Sequence, residues 1–112
     1  MNTLHETNYV KDNTLFIFTT GSQLNLNFDG DSKTGKWKVR TDKIPDNIII
    51  YHKTKTDDSS ATIYKGSIIK YKPTDIEKRY DIIFGNVETA GHTKSNWHEF
   101  IGSKTSSPIV YK

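Results

Sequence analysis

Apolar residues recur at every second position along much of this chain, and this alternation limits the fold more than any other feature. The segment GKWKVRT (residues 35–41) places Trp37 and Val39 on one face and basic side chains on the other. RYDIIFGNVE (residues 79–88) alternates in the same way. Successive side chains of a β-strand point to opposite faces of its sheet, so this period predicts half-buried strands. We therefore predict a mainly β protein.

The pattern predicts about six strands and one helical turn in a single domain, residues 1–112. We include the possibility of a flexible N-terminus at residues 1–12. SQLNLNFDGDS (22–32) can form an extra strand, and TAGHTKS (89–95) is predicted to be a loop. NWHEFIG (96–102) predicts a short helical turn near the C-terminus. We expect a closed or partly open β-barrel, with a β-sandwich as the alternative, because closure removes exposed strand edges. The strands are predicted over residues 13–20, 35–41, 47–53, 62–71, 79–88 and 108–112.

One glycine is expected to bend the sheet. Gly66 interrupts TIYKGSIIKY (residues 62–71), an otherwise continuous strand pattern. A glycine inside a strand is typical of a bulge or of a sharp bend where a sheet curls.

The composition indicates in which cellular compartment the protein is expected. The 112 residues include no cysteine, which excludes disulfides and thiolate metal sites. The N-terminal residues lack the basic and apolar regions of a signal peptide. The longest apolar run, Ile48 to Tyr51, is far too short to span a membrane. We expect a cytoplasmic protein that is not embedded in a membrane.

No motif for catalysis is found in the sequence. His92 and His98 are six residues apart, and H-E-x-x-H would need a histidine at Gly102. No serine lies in a G-x-S-x-G elbow, and no glycine-rich phosphate loop is present. We predict that the protein is not an enzyme and uses neither a metal nor a cofactor.

Positive charge is concentrated in the centre of the chain. Residues 33–56 carry six Lys and one Arg against two acids, although the whole chain has a net charge of only +3. Such a centre suits a polyanion, and the alternative is that these lysines only solubilise strand edges. Cations that bind phosphate and aromatic rings that stack on bases are the usual pair in nucleic-acid binding. The candidate binding residues are Lys36, Trp37, Lys38, Arg40, Tyr51, Lys53, Trp97 and His98.

Trp37, Tyr51 and Trp97 have an alternative interpretation as core residues. On an alternating strand, Trp37 lies on the face opposite Lys36 and Lys38, which favours burial. Trp97 has the one-turn spacing from Phe100 and Ile101 that would cover an open barrel end, with Asn96 or Ser95 as the helix cap.

The stretch GKWKVRTDKIPDNIIIYHK…ATIYKGSIIKY resembles small PUA-like domains, including the EVE group. The shared features are a Trp-bearing segment, a turn, an apolar strand that ends in an aromatic residue, and a strand with a central glycine. The resemblance covers residues 37 to about 100. It implies a curled barrel that binds RNA or a modified base in DNA, with one base in an aromatic-lined cleft.

Two functions from different classes follow. The first is a non-enzymatic nucleic-acid-binding module for RNA or DNA. The second is a protein-interaction or self-associating accessory protein of the mobile-element type, in which an exposed strand edge or apolar face forms a homodimer or binds a partner. A small-molecule pocket in the barrel mouth is a third, weaker hypothesis.

Overall fold

The computed structural model describes residues 13–20, 24–53, 60–102 and 107–111 of the chain, so the predicted flexible segment 1–12 lies outside them. One sheet contains all the strands of this part, in the order β2-β3-β6-β5-β4-β1-β7. The mainly β prediction is confirmed, as is the short helix near the C-terminus. The elements are β1 (Thr14–Thr19), β2 (Leu24–Asn25), β3 (Ser32–Trp37), β4 (Asn47–His52), β5 (Ala61–Pro73), β6 (Tyr80–Thr93), α1 (Trp97–Ile101) and β7 (Ile109–Tyr111).

The prediction of a closed barrel is wrong, because the sheet has two free edges, β2 and β7, among the described residues. The long antiparallel pair β5–β6 explains why. β3 pairs with the first part of β6, from Tyr80 to Phe84. β4 instead pairs with the first part of β5, Thr62 to Ser67, which lies beside the later part of β6. The two groups of outer strands are thus offset along the hairpin, and their edges do not meet.

The β5–β6 pair is irregular where the two groups diverge. Its register shifts three times, including between Lys65 and Ser67, as predicted for Gly66. A Cβ at Gly66 would lie 2.9 Å from the carbonyl oxygen of Gly85, so the two backbones approach closely here. Such bulges increase strand twist and bend the strand. The β5–β6 hairpin can therefore pair with β3 along one part of its length and with β4 along the other.

Two apolar clusters pack against opposite faces of β4. Ile48 and Ile50 point to one cluster, and Ile49 and Tyr51 point to the other. The inner cluster joins β1 and β4 to β3 and β6, and consists of Leu15, Ile17, Trp37, Ile48, Ile50, Ile82, Phe84 and Val87. The helix cluster lies under α1 and consists of Phe16, Ile49, Tyr51, Ala61, Ile63, Trp97, Phe100 and Ile101. Burial on both faces explains why NIIIYH is continuously apolar, as is typical of a strand with a parallel neighbour.

Several predicted boundaries differ from the observed ones. β3 ends at Trp37 instead of extending to residue 41, and in the described part of SQLNLNFDGDS, residues 24–32, β2 covers two residues and Ser32 begins β3. Residues 89–93, predicted as a loop, continue β6 because Ala61, Thr62 and Ile63 of β5 pair with them. Among the described residues, no helix has the length and apolar character needed to cross a bilayer.

Candidate nucleic-acid interface

The three predicted stacking residues lie in the two buried clusters. Trp37 is 7% exposed in the inner cluster, whereas Tyr51 and Trp97 are 2% and 8% exposed in the helix cluster. They therefore do not line one cleft. The alternation around Trp37 and the one-turn spacing around Trp97 already favoured burial.

Each of these rings also has its polar atom bonded within the protein. The Trp37 indole N–H donates to Thr34 Oγ1 at 3.0 Å. The Tyr51 hydroxyl donates to the carbonyl of Ser95 at 2.7 Å, and burial raises its pKa. The Trp97 indole N–H donates to the carbonyl of Ser107 at 3.0 Å. These bonds fix the rings as parts of the core.

The histidine and glutamate beside Trp97 belong to the helix itself. Asn96 is the N-cap, and its side chain accepts a hydrogen bond from the Glu99 N–H at 2.8 Å. The Glu99 carboxylate in turn accepts one from the Asn96 N–H at 3.1 Å, which completes a capping box. His98, a predicted binding residue, is exposed on the outer side of this turn.

The predicted cations are spread over separate places. Lys36 lies at the end of β3, and Lys38 is exposed on the segment that follows. Arg40 forms a two-point contact with Asp42, at 3.2 and 2.8 Å, which lowers the pKa of that carboxyl through the hydrogen bond. Lys53 follows β4 and is half-buried. Only Lys36 belongs to the groove described next.

A β-bulge shapes the surface around Lys36. In the β3–β6 ladder Thr34 pairs with Ile82 and Trp37 pairs with Tyr80, so Gly35 and Lys36 together face the single residue Asp81. Bulges redirect side chains at sheet edges and next to binding sites. Gly35 is required here, since a Cβ at this position would lie 2.9 Å from Asp81 Cγ and 3.2 Å from its Cα.

The bulge forms one wall of a groove of about 720 Å³, which we call the bulge groove. This volume lies within the usual range for ligand sites, about 300–1,000 Å³. Strands β2, β3 and β6 and the β5–β6 turn all contribute to it. The groove is lined by Leu24, Asn25, Lys33, Gly35, Lys36, Ile76, Arg79 and Asp81.

The groove is predominantly cationic. Lys33, Lys36 and Arg79 line it, against one acid, Asp81. The Lys36 ammonium contacts the exposed Asp75 carboxylate at 2.6 Å, and this hydrogen bond raises the pKa of Lys36 and lowers that of Asp75. The guanidinium of Arg79 has no ion-pair partner among the described residues. It is therefore the cation most readily available to an incoming anion.

More lysines extend the positive surface beyond the groove. Lys72 pairs in register with Asp81, and Lys70 pairs with Ile83, whose other neighbour is Lys33. Directly paired residues of an antiparallel ladder share a face. Lys70 and Lys72 are exposed and thus continue the cationic face of the groove across β5.

Sequence reasoning found Lys36 and missed the other groove residues. Lys33 had a signal, because it belongs to the basic centre and lies two positions before Gly35. Arg79 is more than forty residues away from Lys36 along the chain, and only the fold of the β5–β6 hairpin brings the two together. In the described ranges, no group of three His, Asp or Glu side chains is placed to hold a metal ion.

Comparisons of this chain with protein-family models, with curated proteins and with solved structures find no match.

Proposed function

We propose that this protein is a non-enzymatic module that binds nucleic acid through the bulge groove. The observation that carries the proposal is the convergence of Lys33, Lys36 and Arg79 on one groove, with Lys70 and Lys72 on the adjoining face. Phosphate contacts from lysine and arginine supply most of the affinity in sequence-independent binding. The surface differs from the aromatic cleft expected from the sequence, since none of the described residues that line the groove is aromatic.

A single strand fits this surface better than a duplex does. The groove holds amide, carboxylate and apolar side chains beside its cations. Those groups can contact the edges and faces of unstacked bases, which a duplex conceals. RNA and DNA strands both satisfy these contacts. The relationship to PUA-like domains stays a prediction.

Fluorescence anisotropy with labelled oligonucleotides tests the proposal. A single strand of about 12 nucleotides should bind at low salt, and more tightly than the matched duplex. With phosphate contacts from Lys36, Arg79, Lys70 and Lys72, the slope of log K against log salt should be roughly −2.8, which is about a 50-fold loss of affinity between about 50 and about 200 mM salt. Absence of binding at low salt by both probes would overturn the proposal.

A protein-contact function is the second candidate, and exposed apolar side chains favour it. Phe28 is 56% exposed and Ile69 is 51% exposed, and both line a shallow hollow over Gly85. Isolated apolar side chains are common on protein surfaces, so this observation is weaker than the cationic groove. Sedimentation velocity at high protein concentration separates the two candidates. A dimer that Ile69→Ser dissociates, in a protein that binds no oligonucleotide, would favour self-association.

A further inference from the structure

The lining of the bulge groove includes a donor beside an acceptor. The Lys33 ammonium lies 4.0 Å from Asp81 Oδ2, which is too long for a hydrogen bond. The Asp81 side chain is only 17% exposed, and its carboxylate accepts no hydrogen bond from the described residues. Neither carboxylate oxygen is fully buried, so both are accessible to donors from a ligand. This arrangement favours a ligand that supplies the missing donors.

We propose that the bulge groove reads guanine in a single strand, through the Asp81–Lys33 pair. This inference rests on the proposed function and adds a base preference to it. An ionised carboxylate is acceptor-only, with two oxygens side by side. Guanine offers two adjacent donors on its Watson–Crick edge, N1–H and the 2-amino group, and next to them the acceptor O6. Asp81 would accept from both donors while the Lys33 ammonium donates to O6.

The other bases fit this pair less well. Thymine and uracil offer one ring N–H between two carbonyl oxygens, and one of those oxygens would face a carboxylate oxygen. Cytosine and adenine offer an amino group beside an unprotonated ring nitrogen, which repels the second carboxylate oxygen in the same way. Guanine is thus the common base whose edge complements both Asp81 oxygens and the neighbouring cation.

The remaining groove residues suit the rest of a nucleotide. Ile76, which is half exposed, supplies an apolar contact for a face of the base. Arg79, without an ion-pair partner among the described residues, and Lys36 are left for the phosphates. Asn25 is directly opposite Lys33 in the β2–β3 ladder and can hydrogen-bond a further edge or the sugar.

The test compares strands that differ at one position. A labelled oligothymidine with a single central guanine is measured beside the same strand with hypoxanthine, cytosine, adenine or thymine at that position. Hypoxanthine keeps N1–H and O6 but lacks the 2-amino group. One lost hydrogen bond to a charged group should weaken binding about tenfold, and thymine should bind more weakly still. Equal binding of the guanine and hypoxanthine strands would overturn the guanine inference while the proposed function stands.

Two variants separate base reading from general electrostatics. Asp81→Asn keeps the size of the side chain but replaces one acceptor with a donor, and it should bring the guanine-to-hypoxanthine ratio close to one. Asp75→Asn removes an acid that contacts Lys36 outside the lining of the groove. It should strengthen binding to every strand and keep the ratio. A preserved ratio in a folded Asp81→Asn protein, checked by thermal unfolding, would contradict the inference.

Competition with free guanosine monophosphate distinguishes a strand from a mononucleotide. The strand should bind at least about tenfold more tightly, because its neighbouring phosphates reach Lys70 and Lys72. Equal affinities would instead identify a pocket for a free nucleotide, which would overturn the proposed function and keep the guanine contact. Failure of every strand to bind at low salt would remove both proposals.

Discussion

The Asp81 side chain lies directly against the backbone of Gly35, where two residues of β3 face one residue of β6. The close approach is possible only because residue 35 has no side chain. It places the Asp81 carboxylate in the lining of the bulge groove, 4.0 Å from the Lys33 ammonium. The shape of the groove thus depends on the absence of a Cβ atom at residue 35.

Gly35→Ala should therefore damage the groove. Its Cβ would lie 3.2 Å from Asp81 Cα, so the bulge or the carboxylate must move, at a cost of about 1–3 kcal/mol in unfolding free energy. Urea unfolding measures the cost, and the folded variant should lose its preference for guanine. Gly30→Ala is the control. Its Cβ meets only the exposed side chain of Asn27, so stability should change by less than about 0.5 kcal/mol. Equal effects of the two substitutions would contradict the account of the bulge.

Trp97→Ala should destabilise the protein without affecting the groove. The indole packs against the rings of Phe18 and Tyr51, with centroids 5.7 and 5.6 Å away. Loss of this buried ring should cost about 3–5 kcal/mol. His98→Ala, an exposed change on the same helix, should cost less than about 0.5 kcal/mol. A stable Trp97→Ala protein that has lost oligonucleotide binding would instead support the earlier expectation that this ring stacks on a base.

Removing the hydroxyl groups of two tyrosines should have opposite effects. The Tyr71 hydroxyl is buried beside the Tyr111 hydroxyl without a hydrogen bond of good geometry to any described residue, and burial raises its pKa to about 12. Tyr71→Phe should leave the unfolding free energy unchanged or raise it by up to about 1 kcal/mol. Tyr51→Phe breaks the bond to the Ser95 carbonyl and should cost about 0.5–1.5 kcal/mol. Urea unfolding of both variants checks the signs, and an equal loss in both would be inconsistent with these contacts.

Protonation of His52 should weaken the fold in mildly acidic solution. Burial lowers the pKa of this ring, whose Nδ1 lies 2.8 Å from Thr19 Oγ1. The unfolded chain then binds a proton more readily, with a pKa of about 6.5. The stabilisation that the neutral His52 ring gives the fold is fully present above this pKa, and the unfolding free energy declines as the pH falls below it. Urea unfolding between about pH 5 and about pH 8 should show a smaller decline in His52→Gln than in the original protein. An identical pH profile in the two proteins would contradict the assignment.

Local patterns predicted those parts of the fold that local contacts determine. The helix at residues 97–101 has its cap, its capping box and its apolar side chains within seven residues, so the sequence indicates it directly. The run Ile48–Tyr51 was recognised as the most apolar strand, and β4 is indeed an interior strand of the sheet. Neither feature requires knowledge of distant partners.

The parts that depend on distant pairing were not predictable in this way. Residues 89–93 are rich in Gly, Thr and His, and they form a strand only because the start of β5 pairs with them. The open sheet follows from the offset of β3 and β4 along the β5–β6 hairpin, which no single segment encodes. For the same reason Lys36 was identified, whereas Arg79, which shares its groove, was not.

The most direct measurement compares two variants that each remove two positive charges. Lys36→Gln with Arg79→Gln removes two cations of the groove, whereas Lys43→Gln with Lys94→Gln removes two exposed cations outside it. The groove variant should bind a single strand at least about tenfold more weakly at low salt, with a salt slope smaller by about 1.4, since each lost phosphate contact accounts for about 0.7. The control should lose much less affinity and keep its slope. Equal losses in the two variants would mean that binding follows net charge alone, which would contradict the assignment of the bulge groove as the nucleic-acid site.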